Sequence, residues 1–172
     1  MLTPKQQALT EAYLTQLPDE LATTYRALMD YLSEVGYMPY KEKSAITYKC
    51  ADHNKQLAKF GFANTKARTP FFALRFSACR DYSARIADIV AAQIAKYPGK
   101  YACCTRGECN FCAGEPSTRV YTHVTNDGEI KTYCGAQALK IPDVTQGDID
   151  ELKRMIWQEH AYLMRHQAGI EL

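Results

Sequence analysis

Over the first 35 residues the apolar positions recur at helical spacing. Leu9, Ala12, Tyr13 and Leu17 form one stripe, and Leu21, Tyr25, Leu28, Met29, Leu32 and Val35 form a second. Thr3-Pro4 reads as a cap followed by proline in the first turn, and Pro18 opens the second helix with Asp19 and Glu20 at its positive end. Gly36 is a stop signal. From residue 44 the period falls to two: Ile46, Tyr48 and Cys50 alternate with Thr47 and Lys49. Asp52-His53-Asn54 is a turn cluster, residues 57–62 a return strand with Ala58, Phe60 and Phe62 on one face, and residues 71–76 a third strand. A helix over about 82–97 follows, with Ile86, Ile89, Val90 and Ile94 inward, and Pro98-Gly99 ends it.

The second half repeats that order, with strands over 118–125, 129–134 and 138–141 and a last helix to about residue 166. Thr145 and Asp148 have capping-box spacing before that helix. The expected fold is α+β: two N-terminal helices (1–40), a β-β-β-α unit (41–98), a cysteine-rich metal knuckle (99–117) and a second β-β-β-α unit (118–172), all in one domain. Negligible identity between the halves leaves two ordinary three-stranded units as open a reading as duplication.

The 172 residues are 47% apolar and 23% charged, which excludes long disordered classes. No apolar run is long enough to span a membrane. The start lacks a basic-then-apolar export signal, so a cytoplasmic setting with reduced thiols is expected.

Seven cysteines then need another explanation than disulfides, and five of them crowd between Cys103 and Cys134. Cys109 and Cys112 are spaced C-x2-C, a turn spacing that lets two thiolates meet one tetrahedral ion, with Gly107 and Gly114 on either side. Asn126-Asp127-Gly128 suits a three-residue hairpin loop, which pairs Thr125 with Glu129. That register carries Cys134 opposite Val120 and puts Val120, Val124, Ile130 and Cys134 on one apolar face. The expected ligand set is Cys104, Cys109, Cys112 and Cys134 around one structural zinc ion, with Cys103 as the substitute for Cys104. An iron–sulfur cluster and plain thiols are the alternatives. Cys50 and Cys79 read as small buried apolar residues. His160 and His166 read as surface positions on the last helix, and His53 as a turn residue. No nucleotide-binding loop or nucleophile-elbow motif occurs.

Charge is uneven. Residues 41–85 hold ten basic and three acidic side chains, whereas 1–40 and 143–172 each carry a net −3. Lys55, Lys59, Lys66, Arg68 and Arg75 are the candidate ligand-binding residues, with Tyr48, Phe60, Phe62, Phe71 and Tyr82 interleaved. The expected function is a non-enzymatic binding protein for an anionic small ligand or a nucleic acid. The alternative is a small enzyme with a polar pocket between the two β-β-β-α units.

His53-Asn54-Lys55, Pro70-Phe71-Phe72-Ala73-Leu74-Arg75-Phe76, Cys109-Asn110-Phe111-Cys112-Ala113-Gly114 and Glu159-His160-Ala161-Tyr162-Leu163 resemble a bacterial family of small cysteine-containing α+β proteins of unknown function. The resemblance runs from about residue 20 onward. It implies a bacterial cytoplasmic setting and no activity.

Overall fold

A computed structural model describes residues 2–64, 66–97 and 119–167. The elements are α1 (Pro4–Leu14), α2 (Asp19–Glu34), β1 (Tyr37–Glu42), β2 (Ala45–Cys50), β3 (Gln56–Ala63), β4 (Thr69–Leu74), α3 (Ala84–Lys96), β5 (Tyr121–Val124), β6 (Ile130–Tyr133), β7 (Leu139–Ile141) and α4 (Ile149–Gln167). The protein is α+β, with an antiparallel sheet in the order β1-β2-β3-β4-β7 and a separate β5-β6 hairpin.

Helix starts follow the sequence signals. Thr3 and Gln6 form a reciprocal capping box at α1, with proline in the first turn. Such a cap stabilises a helix by about 1 kcal/mol. Thr145 and Asp148 form the second box, which opens a 3-10 turn that runs into α4.

Strand register then builds the core. Ile46, Phe60, Phe72 and Ile141 lie directly opposite one another across four strands, and Tyr48, Ala58, Leu74 and Leu139 form the adjacent row. These residues are buried. Tyr25 of α2 packs its ring on Phe60 (5.3 Å) and Phe72 (6.3 Å), and Tyr13 of α1 packs on Phe62 (5.1 Å). The opposite face carries the row Thr47, Lys59, Ala73 and Lys140. Side-chain alternation therefore sends one set of every strand to the helices and the other set away from them.

Two expectations about the sheet change. Residues 37–42, which straddle the expected boundary at residue 40 and carry no expected strand, form strand β1; Pro39 sits inside it, a residue that weakens the strand signal and that an edge strand tolerates. The second half also forms no three-stranded unit. Its third strand, β7, leaves β5 and β6 and adds to β4, because Leu139 and Ile141 complete the two apolar rows.

The β5-β6 hairpin has the expected register. Thr125 donates its amide to the Glu129 carbonyl (2.9 Å), Tyr121 pairs with Tyr133, and Gly128 takes the left-handed conformation at φ 83°. The expected apolar face is buried only at its far end. Val120 is buried and Cys134 half-buried, but Val124 and Ile130 are 61% and 67% exposed, while Tyr121 and Tyr133 of the other face enter the core. Tyr121 is held there by two hydrogen bonds, from the Phe76 amide and to the Gln137 carbonyl, which satisfy its hydroxyl.

Candidate functional site

Helix α1, the β1-β2 turn and the β3-β4 turn enclose an open cleft of about 680 Å3. Its floor is apolar: Leu9, Ala12, Tyr13, Ala45, Ile46 and Phe62. Its rim is polar, with Gln16, Lys41, Lys43, Ser44, Asn64 and Arg68. Among the described residues that line it, three are cations and none is a carboxylate.

Local structure explains how the rim is held. Lys43, Asn64 and Arg68 all take left-handed backbone conformations, at φ 51°, 58° and 46°. This costs Lys43 and Arg68 about 1 kcal/mol each, whereas asparagine adopts it readily. Asn64 organises its own turn: its side chain accepts the Lys66 amide (3.1 Å) and its carbonyl accepts the Arg68 amide (2.8 Å). Arg68 then folds back over the Phe62 ring, 4.6 Å from its centroid, and donates to the Gln16 side chain. Below, the buried Tyr13 hydroxyl donates to the Gly61 carbonyl (3.2 Å), fixing α1 to β3.

Of the sequence-derived candidates, Arg68 lines this cleft and the others lie elsewhere. Lys66 is exposed on the same turn. Lys55 precedes β3, whose eight residues separate it from Lys66 by roughly 25 Å. Lys59 lies on the face away from the helices and pairs with Glu42 (3.1 Å). Arg75 is buried, and its Nε donates to Glu159 Oε1 (2.7 Å). Tyr48 and Phe60, interleaved with the basic residues along the chain, are core residues. Lys41 and Lys43 were missed by the candidate set. Their signal was a Lys-Glu-Lys run at the point where the alternating pattern begins.

A second polar cluster also escaped the sequence. His53 and His160, 107 positions apart, meet across the hydroxyl of fully buried Tyr37. Tyr37 Oη lies 3.0 Å from His53 Nε2 and 3.3 Å from His160 Nδ1. The Lys55 amide donates to His53 Nδ1 (3.1 Å), which places the His53 proton on Nε2. His53 therefore donates to Tyr37, whose hydroxyl is also within hydrogen-bond reach of His160 Nδ1. Beside this chain, Glu159 accepts from Arg75, from Ser77 (3.3 Å) and from the Ala78 amide (2.7 Å). Burial lifts the Glu159 carboxyl above its ordinary range, against the pull of Arg75. His53 lies in a turn as expected and is buried there, and His160 is half-buried rather than on the surface.

Cys103, Cys104, Cys109 and Cys112 lie outside the described residues. Cys134 follows β6 and is half-buried. The described chain on either side of 98–118 approaches it closely: Tyr97 stacks on Tyr133 at 6.3 Å, and a Cβ on Gly135 would lie 1.4 Å from the Arg119 carbonyl oxygen. Cys50 and Cys79 are buried as expected, and Cys79 Sγ donates to the Met155 carbonyl (3.4 Å). Among the described residues no group of three His, Cys, Asp or Glu side chains forms a metal site, and no helix is long and apolar enough to cross a membrane.

No family model, curated protein or solved structure matches the chain.

Proposed function

We propose that this is a binding protein for a small anionic ligand with an apolar body, held in the cleft between α1 and the β1-β2 and β3-β4 turns. The observation that carries this reading is the union of an apolar floor with Lys41, Lys43 and Arg68 on the rim and no lining carboxylate. The volume is in the range of small-molecule sites, roughly 300–1,000 Å3. The floor takes hydrocarbon from water, and the cations choose the sign of the head group.

Isothermal titration with octanoate, octylammonium and octanol tests it. Octanoate binds, and more weakly as salt is raised, because the rim charges are exposed to screening. Arg68→Ala weakens octanoate by about tenfold, the loss of one charge-assisted contact. Equal affinity for octanol and octanoate would refute an anion site.

A structural zinc ion bound by Cys109, Cys112, Cys134 and Cys104 or Cys103 is the second element of the reading. The close approach of Tyr97 and Arg119 to the β6 end supports it, because both flanks of the cysteine-rich segment come to the neighbourhood of Cys134.

A further inference from the structure

Helix α1 separates two cavities. Leu9, Ala12, Tyr13 and Gln16 line the cationic cleft, while Gln7, Thr10, Glu11 and Leu14 line a smaller one of about 330 Å3 on the α2 side. Both sets follow i, i+3, i+4, i+7 spacing, so they are different faces of one helix. Leu2, Arg26, Met29, Asp30 and Tyr48 complete the second cavity.

Two features of it are unresolved by the protein's own contacts. Tyr48 is fully buried, and its Oη has no hydrogen-bond partner among the described residues. Its ring packs edge-on against Phe60 (5.6 Å), and Tyr48 is one of the residues that line the cavity. A buried hydroxyl without a partner costs about 1–3 kcal/mol, so its retention calls for a partner. The other feature is charge. Arg26 is occupied by Glu11, to which it donates from both terminal nitrogens, Nη2 to Oε2 at 2.8 Å. Asp30 makes no ion pair among the described residues. Asp30 is exposed; partial desolvation, with Glu34 and Glu11, lifts its carboxyl above the ordinary range against Arg26 and Lys153. Its charge reaches the Tyr48 hydroxyl, which burial and Asp30 together hold well above its usual value. The walls between the two groups are Leu14, Met29 and Leu2.

We infer that the cavity between α1 and α2 is a binding site for a small primary ammonium compound, whose N–H groups reach the Tyr48 hydroxyl and the Asp30 carboxylate and whose short apolar part lies against Leu14 and Met29. An ammonium group has three donors and no acceptor, so it supplies a donor to the unpartnered Tyr48 oxygen and the opposite charge to the Asp30 carboxylate. The site is independent of the anionic cleft and has the opposite preference.

The test uses n-butylammonium as probe, with n-butanol and butyrate as isosteres, read by amide chemical-shift titration of the whole protein. Butylammonium shifts α1 and α2 amides saturably, and the isosteres do so at least about tenfold more weakly, as expected when a hydrogen bond to a charged group is lost. Asp30→Asn, an exposed position whose change leaves the core untouched, weakens butylammonium by a similar factor. Tyr48→Phe weakens it too, without lowering the urea midpoint of the free protein, because no bond is broken by removing an unpartnered hydroxyl. Undiminished binding in both variants would overturn the proposal, as would equal binding of butanol. A lower midpoint for Tyr48→Phe would also overturn it, by showing that a resident water already satisfies the hydroxyl. Octanoate binding unaffected by butylammonium would keep the two sites distinct.

Discussion

At the scale of single residues, the His53–Tyr37–His160 cluster has a consequence for pH. His53 accepts the Lys55 amide, which holds its ring neutral, and His160 shares a hydrogen bond with Tyr37. Burial lowers the pKa of both below the ordinary 6.5; His160 and Arg75 add to the lowering at His53, while Asp52 opposes it at both. A folded-state pKa below the unfolded value means that the unfolded chain binds protons first. The stabilisation is therefore complete above about pH 6.5 and is lost as pH falls through the lower folded values. The stability is expected to drop between pH 7 and 5, read as a falling urea midpoint, and His53→Gln to flatten that slope. The comparison isolates the histidine from Glu159, whose raised pKa acts in the opposite sense. At Gly135 the constraint is steric. A Cβ there would overlap the Arg119 carbonyl, a backbone atom that cannot swing aside. Gly135→Ala should cost at least about 1–3 kcal/mol, the usual toll of forced overpacking, in a urea titration. Gly128→Ala is a different case, because its cost comes from φ 83° in an otherwise open turn.

Between elements, the Arg75–Glu159 pair is the main polar link from the end of β4 to α4. Both side chains are almost fully enclosed, and Glu159 is further satisfied by Ser77 and the Ala78 amide. Removing one member leaves a buried charge with no counterion. Arg75→Met is therefore expected to destabilise by about 3–5 kcal/mol, and the double change Arg75→Met with Glu159→Met by much less. Equilibrium unfolding of the two singles and the double gives the coupling directly. This burial also explains why Arg75, a sound candidate by charge, does not reach a ligand: its guanidinium is spent on holding a helix to the sheet. Arg68, seven residues earlier, lies beyond the other end of β4, where the strand gives way to an exposed turn.

For the whole molecule, the two cavities on either side of α1 and the cysteine-rich segment are separate features of one α+β framework. Elemental analysis of protein purified without added metal is expected to give about one zinc per chain. Cys134→Ser and Cys109→Ser should each lose it, whereas Cys50→Ser keeps it, because Cys50 is a core residue on the helix-covered face. Zinc near zero, or iron with sulfide, would remove the zinc reading. Loss of metal from Cys103→Ser with retention in Cys104→Ser would move the ligand by one residue.

Local patterns in the sequence determined the four helices described, the caps that open α1 and α4, the strands from β2 onward and the β5-β6 register. Each of these depends on neighbours within a few residues: Thr3 and Gln6, Thr145 and Asp148, Asn126-Asp127-Gly128. The tertiary structure alone decided what pairs across long separations. Strand β7 joins β4 because Leu139 and Ile141 extend apolar rows begun by Ile46 and Tyr48, and no local signal states which strand a strand will meet. The same holds for the hairpin face, where the large Tyr121 and Tyr133 rings win burial over Val124 and Ile130 once Phe76 and α3 lie beside them. It holds most strongly for the candidate sites. Charge along the chain pointed to residues 41–85, but whether a given lysine or arginine faces a cleft, a carboxylate or solvent depends on what the fold packs against it. Lys41, Lys43 and Arg68 converge from two turns, and Tyr48 is left without a partner, only when α1 lies across the sheet.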